Sequence, residues 1–310
     1  MIKLDDVTVL IPVKNEEKAI GKVIDEVLST GIPPSRILVV DGHSTDRTVE
    51  IARSKGVVVV EQEGVGKSDA IKTGLRHVST KYVVVMDGDY SYPAKYIPIL
   101  VRLAKEKNYS YISARRVRGR ENIPVLNRFG NWILTKLFNI LLGGDLGDVC
   151  TGMYLLDVEE LRDVLFETKG FSIEVELAAH VVGSAVPYTE YGIEYRSRIG
   201  RSKLRIADGF KIALDIVRMA WRYNPVTLLL IGASIIVVPG LLLGAYVAYH
   251  YIFNGVIYHV KGVVAIVLTA TGLQALMLAM VATYLKRAEL RIRRLLREIL
   301  NHSKTRTMGF

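Results

Sequence analysis

The chain has a single cysteine, Cys150. One thiol excludes an internal disulfide and a cysteine-based zinc cluster. The amino-terminal residues hold no long apolar run, because Lys3, Asp5 and Asp6 interrupt it. No secretory leader is expected there. Two nucleotide-binding fingerprints are missing as well. Gly66-Lys67-Ser68 looks like the end of a phosphate-binding loop, but that motif needs a glycine where Glu61 stands. The first apolar strand runs into Pro12-Val-Lys-Asn-Glu rather than Gly-x-Gly-x-x-Gly. That excludes the dinucleotide signature and, with it, nicotinamide chemistry. Charge itself is absent from residues 226–253 and again from residues 262–285.

What is present is apolar and basic. The chain has 310 residues, half of them hydrophobic, a net charge of +10 and a pI near 9.5. The excess apolar content lies beyond Pro225, so the first two thirds read as a soluble domain with an appendage. The positive balance calls for anionic partners: nucleic acid, phosphorylated substrates or an acidic membrane surface. The long apolar segments favour the last two over nucleic acid.

The stretch Tyr82-Val-Val-Val-Met-Asp87-Gly-Asp89-Tyr-Ser-Tyr-Pro93 organises the chain. Its continuous apolar run predicts a central parallel strand covered on both faces. Two carboxylates follow at once, with Gly88 allowing a bend and Pro93 barring continuation. Ligands in open α/β sheets bind at the carboxyl ends of strands. Two carboxylates there suit a hard divalent cation carrying a phosphate-bearing substrate. Asp-Gly is also a common turn dipeptide, so this pattern needs support from the rest of the chain.

Strand and helix alternate on either side of it. Strands are predicted at 7–11, 36–40 and 57–60, with helical spacing between them, for example at Ile20, Val23, Ile24 and Val27. This alternation predicts a parallel, doubly wound sheet. A strand at 111–114 is followed by Arg115-Arg116-Val-Arg118-Gly-Arg120, which puts at least one arginine at the strand's carboxyl end. The segment from Asn127 to Leu142 carries Trp132, Ile133, Phe138 and Ile140. It suits either a surface helix at a membrane or an ordinary core helix. Residues 148–156 read as a further strand. Glu174 and Glu176 fall in a first helical turn, where they can face a site or complement the helix dipole. His180 reads as a packed histidine. Residues 206–221 have the composition of an interfacial helix.

The two uncharged stretches each exceed the ~20 residues that cross a bilayer. Pro239 inside the first is tolerated there. The connection carries Lys261 alone, whereas Arg218, Arg222, Lys286, Arg287, Arg291, Arg293 and Arg294 flank the pair. The positive-inside rule puts both flanks and both termini in the cytoplasm. The chain thus divides into a domain at 1–204, an interfacial helix at 205–224, two transmembrane helices at 225–285 and a basic tail at 286–310.

Together these residues resemble a family. Ile11-Pro12-Val-Lys-Asn15-Glu16, Val40-Asp41-Gly-His-Ser44-Thr-Asp46-Arg-Thr48, Asp87-Gly-Asp89, Ser113-Ala-Arg115, Asn127-Arg128, the run from Asp148 to Gly152, Gly170-Phe171 and Ser202-Lys203 occur in the order seen in inverting family 2 glycosyltransferases of the GT-A fold. More narrowly, the chain resembles the dolichyl-phosphate hexose synthases. Through Asn224-Pro225 and the two-span tail it is similar to the archaeal enzymes that charge dolichyl phosphate for protein N-glycosylation.

The resemblance implies roles. Pro12, Val13, Asn15, Glu16 and Asp41 would line the nucleotide-sugar pocket, with Lys67, Asp87 and Gly88 beside it. Asp87, Asp89 and Ser91 would hold Mg2+ or Mn2+, with Ser91 where similar enzymes can carry a glutamine. Arg115 and Arg128 would hold the acceptor phosphate, under a loop that includes Arg201, Ser202 and Lys203. Asp89, Arg115, Arg128 and Glu176 are the candidate catalytic residues. The implied donors are UDP-glucose or UDP-N-acetylglucosamine, with GDP-mannose as the alternative, and the implied acceptor is dolichyl or another polyprenyl phosphate. A processive polysaccharide synthase would carry Gln-x-x-Arg-Trp, and neither Gln62 nor Gln274 lies in that context. A transferase acting on a lipid hydroxyl would need a base and fewer arginines. A membrane-anchored protein that binds a sugar nucleotide without turnover is the remaining alternative.

Overall fold

The computed structural model describes residues 4–161, 166–184, 186–200 and 206–307. The Cα framework separates into two compact units, residues 1–219 and 220–310.

The first unit is built on a seven-stranded sheet. Its strands are β1 (Val7–Val13), β2 (Ile37–Asp41), β3 (Val58–Glu61), β4 (Tyr82–Met86), β5 (Tyr111–Arg118), β6 (Met153–Asp157) and β7 (Tyr188–Glu194). They lie in the order β3-β2-β1-β4-β6-β5-β7. The helices between them are α1 (Ile20–Ser29), α2 (Thr48–Ser54), α3 (Lys67–Arg76), α4 (Ile97–Lys107), α5 (Val125–Leu142) and α6 (Ile173–Gly183). Strand side chains alternate between the two faces. Val9, Ile11, Val39 and Val84 join one core with Ile20, Val23 and Leu100, while Leu10, Val40, Val83 and Val85 join a second with Ile71 and Leu177. Both faces are covered, so the central strands are continuously apolar, as the run at Val83 to Met86 requires.

The expectation of a parallel sheet holds for β1, β2, β3 and β4 and needs one correction. β6 runs antiparallel to both of its neighbours, β4 and β5, with Met86 opposite Met153. The strand is also shorter than the sequence reading, starting at Met153 rather than Asp148. The reversal has a functional consequence. It brings the loop that enters β6 to the edge where β4 ends, so Gly152 lies beside Asp87. β5 is longer than expected and carries Arg115, Arg116 and Arg118 within the strand.

α5 is buried along one side and exposed along the other. Leu134, Phe138, Leu141 and Leu142 are buried, while Val125, Leu126, Phe129, Trp132 and Ile140 stay exposed. A further helix, α7, spans Ile206–Tyr223 and leaves Phe210 and Leu214 in the open.

In the second unit, α8 (Pro225–Asn254) and α9 (His259–Thr307) pack side by side. Both contain segments long and apolar enough to cross a membrane, and most of their surface is exposed. Small residues let the two backbones approach: Gly240 sits against Thr269, and Gly272 against Val237. α9 has no break at residue 286, so the basic segment continues the helix that precedes it.

Candidate active site

The site lies where β1, β2 and β4 end. Backbone strain marks that edge. Asn15, His43 and Tyr90 adopt left-handed conformations, with φ of 52°, 60° and 70°, in the loops after β1, β2 and β4. Non-glycine residues rarely do so, and such positions cluster at ligand sites.

The loops after β1 and β2 are tied together. The Asn15 N–H donates to Ser44 Oγ at 2.8 Å, and the Thr45 N–H donates to Asn15 Oδ1 at 2.8 Å. The Glu16 N–H donates to Thr48 Oγ1 at 2.8 Å. Asn15 therefore shapes the pocket wall by holding the 44–48 loop. Asp41 closes the floor. Its Oδ2 accepts from the Ser44 N–H at 3.0 Å, while its Oδ1 is buried without a hydrogen-bond partner among the described residues. A buried acceptor left open is costly in a folded protein unless a ligand completes it. Pro12 and Val13 lie on the same edge, with the Val13 carbonyl accepting from the Gly42 N–H at 2.7 Å.

The two carboxylates after β4 are both ion-paired. Asp87 Oδ1 lies 2.6 Å from Lys67 Nζ, and the same ammonium lies 2.5 Å from Glu174 Oε1. Lys67 opens α3 after Gly66, whose φ of 98° suits glycine. Burial disfavours the ammonium, but Asp87 and Glu174 outweigh it and hold Lys67 above its ordinary pKa. Gly152 leaves room for the Asp87 carboxylate, since a side chain there would collide with it. Asp89 is almost fully buried, at 2% exposure. Its Oδ2 accepts from Arg198 Nε at 2.6 Å and also from Arg198 Nη2. Its Oδ1 accepts from the Ser91 N–H and the Ser91 hydroxyl. Burial raises the Asp89 carboxyl, and Arg198 and Ser91 outweigh it, leaving the group below its usual range.

A further buried pair stands beside this centre. Arg116 Nε lies 2.6 Å from Asp148 Oδ2 and Nη2 lies 2.7 Å from Oδ1, while Asn131 Nδ2 donates to the same Oδ1 at 2.9 Å. The Arg116 guanidinium also lies 5.4 Å from the centre of the Tyr195 ring. Tyr92 Oη accepts from the Gly152 N–H at 2.6 Å and so fixes the loop that faces Asp87.

Apart from Glu176, the sequence-predicted residues fall into three groups. Pro12, Val13, Asn15, Glu16, Asp41, Lys67, Asp87, Gly88, Asp89 and Ser91 all lie at strand ends, a helix start or loops on this edge. Ser91 acts as a donor to Asp89, so its hydroxyl orients that carboxylate. Arg115 and Arg128 point to more open surfaces. Arg115 lies over Gly147, 3.9 Å from Glu190, and Arg128 lines a surface groove of about 460 Å3 with Arg120, Val125, Phe129 and Trp132. Strand alternation explains the difference between Arg115 and Arg116, which project to opposite faces of β5. Arg201, Ser202 and Lys203 lie outside the described residues.

Glu176 requires a correction. Its carboxylate accepts from the Glu167 and Thr168 N–H groups, at 2.7 and 3.1 Å, and from Thr168 Oγ1 at 2.6 Å. It holds the 167–168 segment, and its neighbour Glu174 is the one that meets Lys67. Residues two apart on a helix point in different directions, so only one could reach the site. Composition could not say which. The sequence reading does not select Arg198 or Arg116, and it leaves Glu174 open beside Glu176. His180, expected to be packed, contacts the Glu160 carbonyl at 3.1 Å.

A mostly parallel sheet of this order, with an Asp-x-Asp pair where β4 ends, is a GT-A glycosyltransferase arrangement. Residues 8–165 match the model of Glycosyl transferase family 2, and the chain belongs to that family. It is 31% identical over 278 residues to Glycosyltransferase AglJ of Haloferax volcanii, covering 88% of this chain and 91% of that protein. It is 35% identical over 218 residues to the Dolichyl-phosphate hexose transferase of the same organism, covering 69% of this chain and 94% of that protein. Among solved structures, glucosyl-3-phosphoglycerate synthase from Mycobacterium tuberculosis, in complex with Mn2+, UDP-glucose and phosphoglyceric acid, superposes with a TM-score of 0.55 at 23% identity, covering 70% of this chain and 79% of that one. That likeness concerns the fold.

The donor set bears on whether a metal fits. Among the described residues no group of three His, Cys, Asp or Glu side chains is arranged to hold one. Asp87 and Asp89 nevertheless offer hard oxygen donors at one edge, and Gly152 keeps space beside Asp87. These suit Mg2+ or Mn2+ when a substrate supplies further oxygens.

Proposed function

We propose that this chain transfers a hexose or N-acetylhexosamine from a UDP-sugar to dolichyl or another polyprenyl phosphate, with inversion, for protein N-glycosylation. The observation that carries this reading is the charge arrangement at the strand edge. Asp87 and Asp89 stand there, each already touching a cation, Lys67 and Arg198, that could pass to an anionic substrate. The relatives' names and the two apolar helices favour a lipid phosphate as the acceptor.

Asp41 offers a nucleotide base an acceptor. Its Oδ2 accepts from the Ser44 N–H, and its buried Oδ1, without a partner among the described residues, is open to a ring N–H.

A divalent cation at Asp87 and Asp89 would neutralise the departing diphosphate. The chain's own residues do the rest. Asp41, Asn15 and Glu16 form the wall and floor that fix the nucleotide. Lys67 places its charge beside the diphosphate. Arg115 and Arg128, the arginines that the family resemblance assigns to the acceptor, hold its phosphate by bidentate hydrogen bonding. A phosphate monoester has a second pKa of about 6, so the acceptor is an anion at neutral pH. It attacks the anomeric carbon directly and needs no carboxylate base. Positioning and electrostatics supply the acceleration. The excess of Lys and Arg on the flanks of the apolar pair puts both termini and the catalytic domain on the cytoplasmic side of the membrane.

The test is a transfer assay on the full chain in detergent. Dolichyl phosphate is offered with labelled UDP-glucose, UDP-N-acetylglucosamine or GDP-mannose, with magnesium or with chelator. Metal-dependent label in the lipid phase from a UDP-sugar, lost in Asp89→Asn, is expected. Label from GDP-mannose alone would move the donor assignment. Nucleotide binding without any lipid product would leave a binding protein or another acceptor.

A further inference from the structure

Lys67 opens α3, Asp87 follows β4, and Glu174 sits in the first turn of α6. Three elements thus bring three charges to one point. The single ammonium of Lys67 lies 2.6 Å from Asp87 and 2.5 Å from Glu174. The two carboxylates differ in access. The Asp87 side chain keeps 20% of its surface exposed, while that of Glu174 keeps 6%. Glu174 Oε1 has no partner besides Lys67 among the described residues.

Lys67 therefore has an outer partner that a bound cation would claim and an inner partner, Glu174, that is more deeply buried. Were Asp87 its sole counter-ion, drawing Asp87 away would strand a buried ammonium, which is strongly disfavoured. Lys67 would then hold Asp87 against any competing cation. With Glu174 beneath it, the ammonium keeps a counter-ion and its position after Asp87 turns outward.

We propose that Glu174 is a positioning residue acting through Lys67, and that it makes Asp87 exchangeable between the ammonium and a divalent cation. The inference deepens the donor site described above and rests on the reading that Asp87 takes a cation with a nucleoside diphosphate. Glu174 never touches the substrate. Its effect is to keep Lys67 from sealing the site and to keep that charge aimed at the diphosphate.

The experiment is Mn2+ binding to the full chain in detergent, with free Mn2+ followed by electron paramagnetic resonance, first alone and then with UDP. Glu174→Gln leaves Lys67 to Asp87 alone and is expected to weaken Mn2+ binding about tenfold, as a charge pair inside a partly buried site can. Lys67→Met removes the competitor and is expected to bind Mn2+ at least as tightly as the wild type. In the Lys67→Met background, Glu174→Gln should cause little further loss. A purely structural Glu174 would weaken binding equally in both backgrounds. That result, or unchanged Mn2+ affinity in Glu174→Gln, overturns the inference. Should Glu174→Gln fail to fold, Glu174→Asp tests the same point by shortening the reach to Lys67, with Mn2+ binding weaker than the wild type expected and wild-type binding against it. Failure of the wild type to bind Mn2+ even with UDP would instead overturn the donor reading itself.

Discussion

Arg198 reaches across 109 positions of sequence to place its Nε 2.6 Å from Asp89 Oδ2. The same loop is fastened by its backbone, with the Ile199 N–H donating to the Asp89 carbonyl at 3.0 Å and the Arg196 N–H to the Ser91 carbonyl at 2.9 Å. The carboxylate most expected to meet a metal is therefore held by the segment that leads into residues 201–203.

Asp89→Asn should abolish transfer while Glu176→Gln should act through stability. Asp89 faces the reacting groups in the proposed site, so its loss is expected to lower kcat by about a hundredfold or more, the scale of a lost electrostatic stabiliser. Glu176 accepts three hydrogen bonds in the core. Its replacement is expected to cost about 1–3 kcal/mol of stability, with most of the kcat retained. Thermal unfolding and initial rates on both variants check this, and a larger rate loss in Glu176→Gln would contradict the base-free mechanism.

Arg116 and Asp148 form a largely buried pair, so removing one partner should be severe. Arg116→Met is expected to destabilise the fold by roughly 3–5 kcal/mol, measured by denaturant unfolding. The pH dependence follows from Asp148. Burial raises its carboxyl, but Arg116 and Asn131 outweigh it, so the folded pKa lies below the unfolded value. The stability from this group is present above the unfolded pKa of about 3.9 and is lost as pH falls through the lower, folded pKa. Arg116→Met removes that depression, so the destabilisation of the variant relative to the wild type should shrink as pH falls through the folded pKa.

Asp41→Asn tests the nucleotide floor. The substitution replaces one carboxylate oxygen with an amide, so the open acceptor is lost or must turn away from Ser44. UDP affinity should fall by about tenfold, the equivalent of one hydrogen bond of roughly 1.4 kcal/mol. Isothermal titration calorimetry reads it directly. Undiminished UDP binding would place the base elsewhere.

Phe129 and Trp132 stack on the exposed side of α5, with ring centres 6.0 Å apart beside Arg128. If this groove takes the acceptor's lipid, Phe129→Ala with Trp132→Ala should raise KM for a long polyprenyl phosphate several-fold and leave UDP affinity unchanged. An equal change for both substrates would point to a general loss of structure.

Much of the scaffold was legible because it depends on local pattern. The apolar run at Val83 to Met86 forces a covered central strand, and the carboxylates that follow it must lie at that strand's end. The helices α8 and α9 follow from the uncharged stretches by length alone. Other features were not legible because they depend on direction. The reversal of β6 leaves no mark in its composition, since an apolar strand buried on both faces reads the same in either orientation. Nor does the arginine run reveal that Arg116 turns inward to Asp148 while Arg115 stays at the surface, because the run did not show that β5 extends through it.

The amino-acid sequence by itself determined the sheet's central strand, its pair of carboxylates, the alternation that covers both faces and the two long apolar helices. Each of these is a consequence of residue type and spacing within one segment. The tertiary structure alone decided the partners: Lys67 with Asp87 and Glu174, Arg198 with Asp89, and Glu176 with the 167–168 segment. Pairing is settled by which elements converge in space, and burial then makes an unmatched charge too costly to leave.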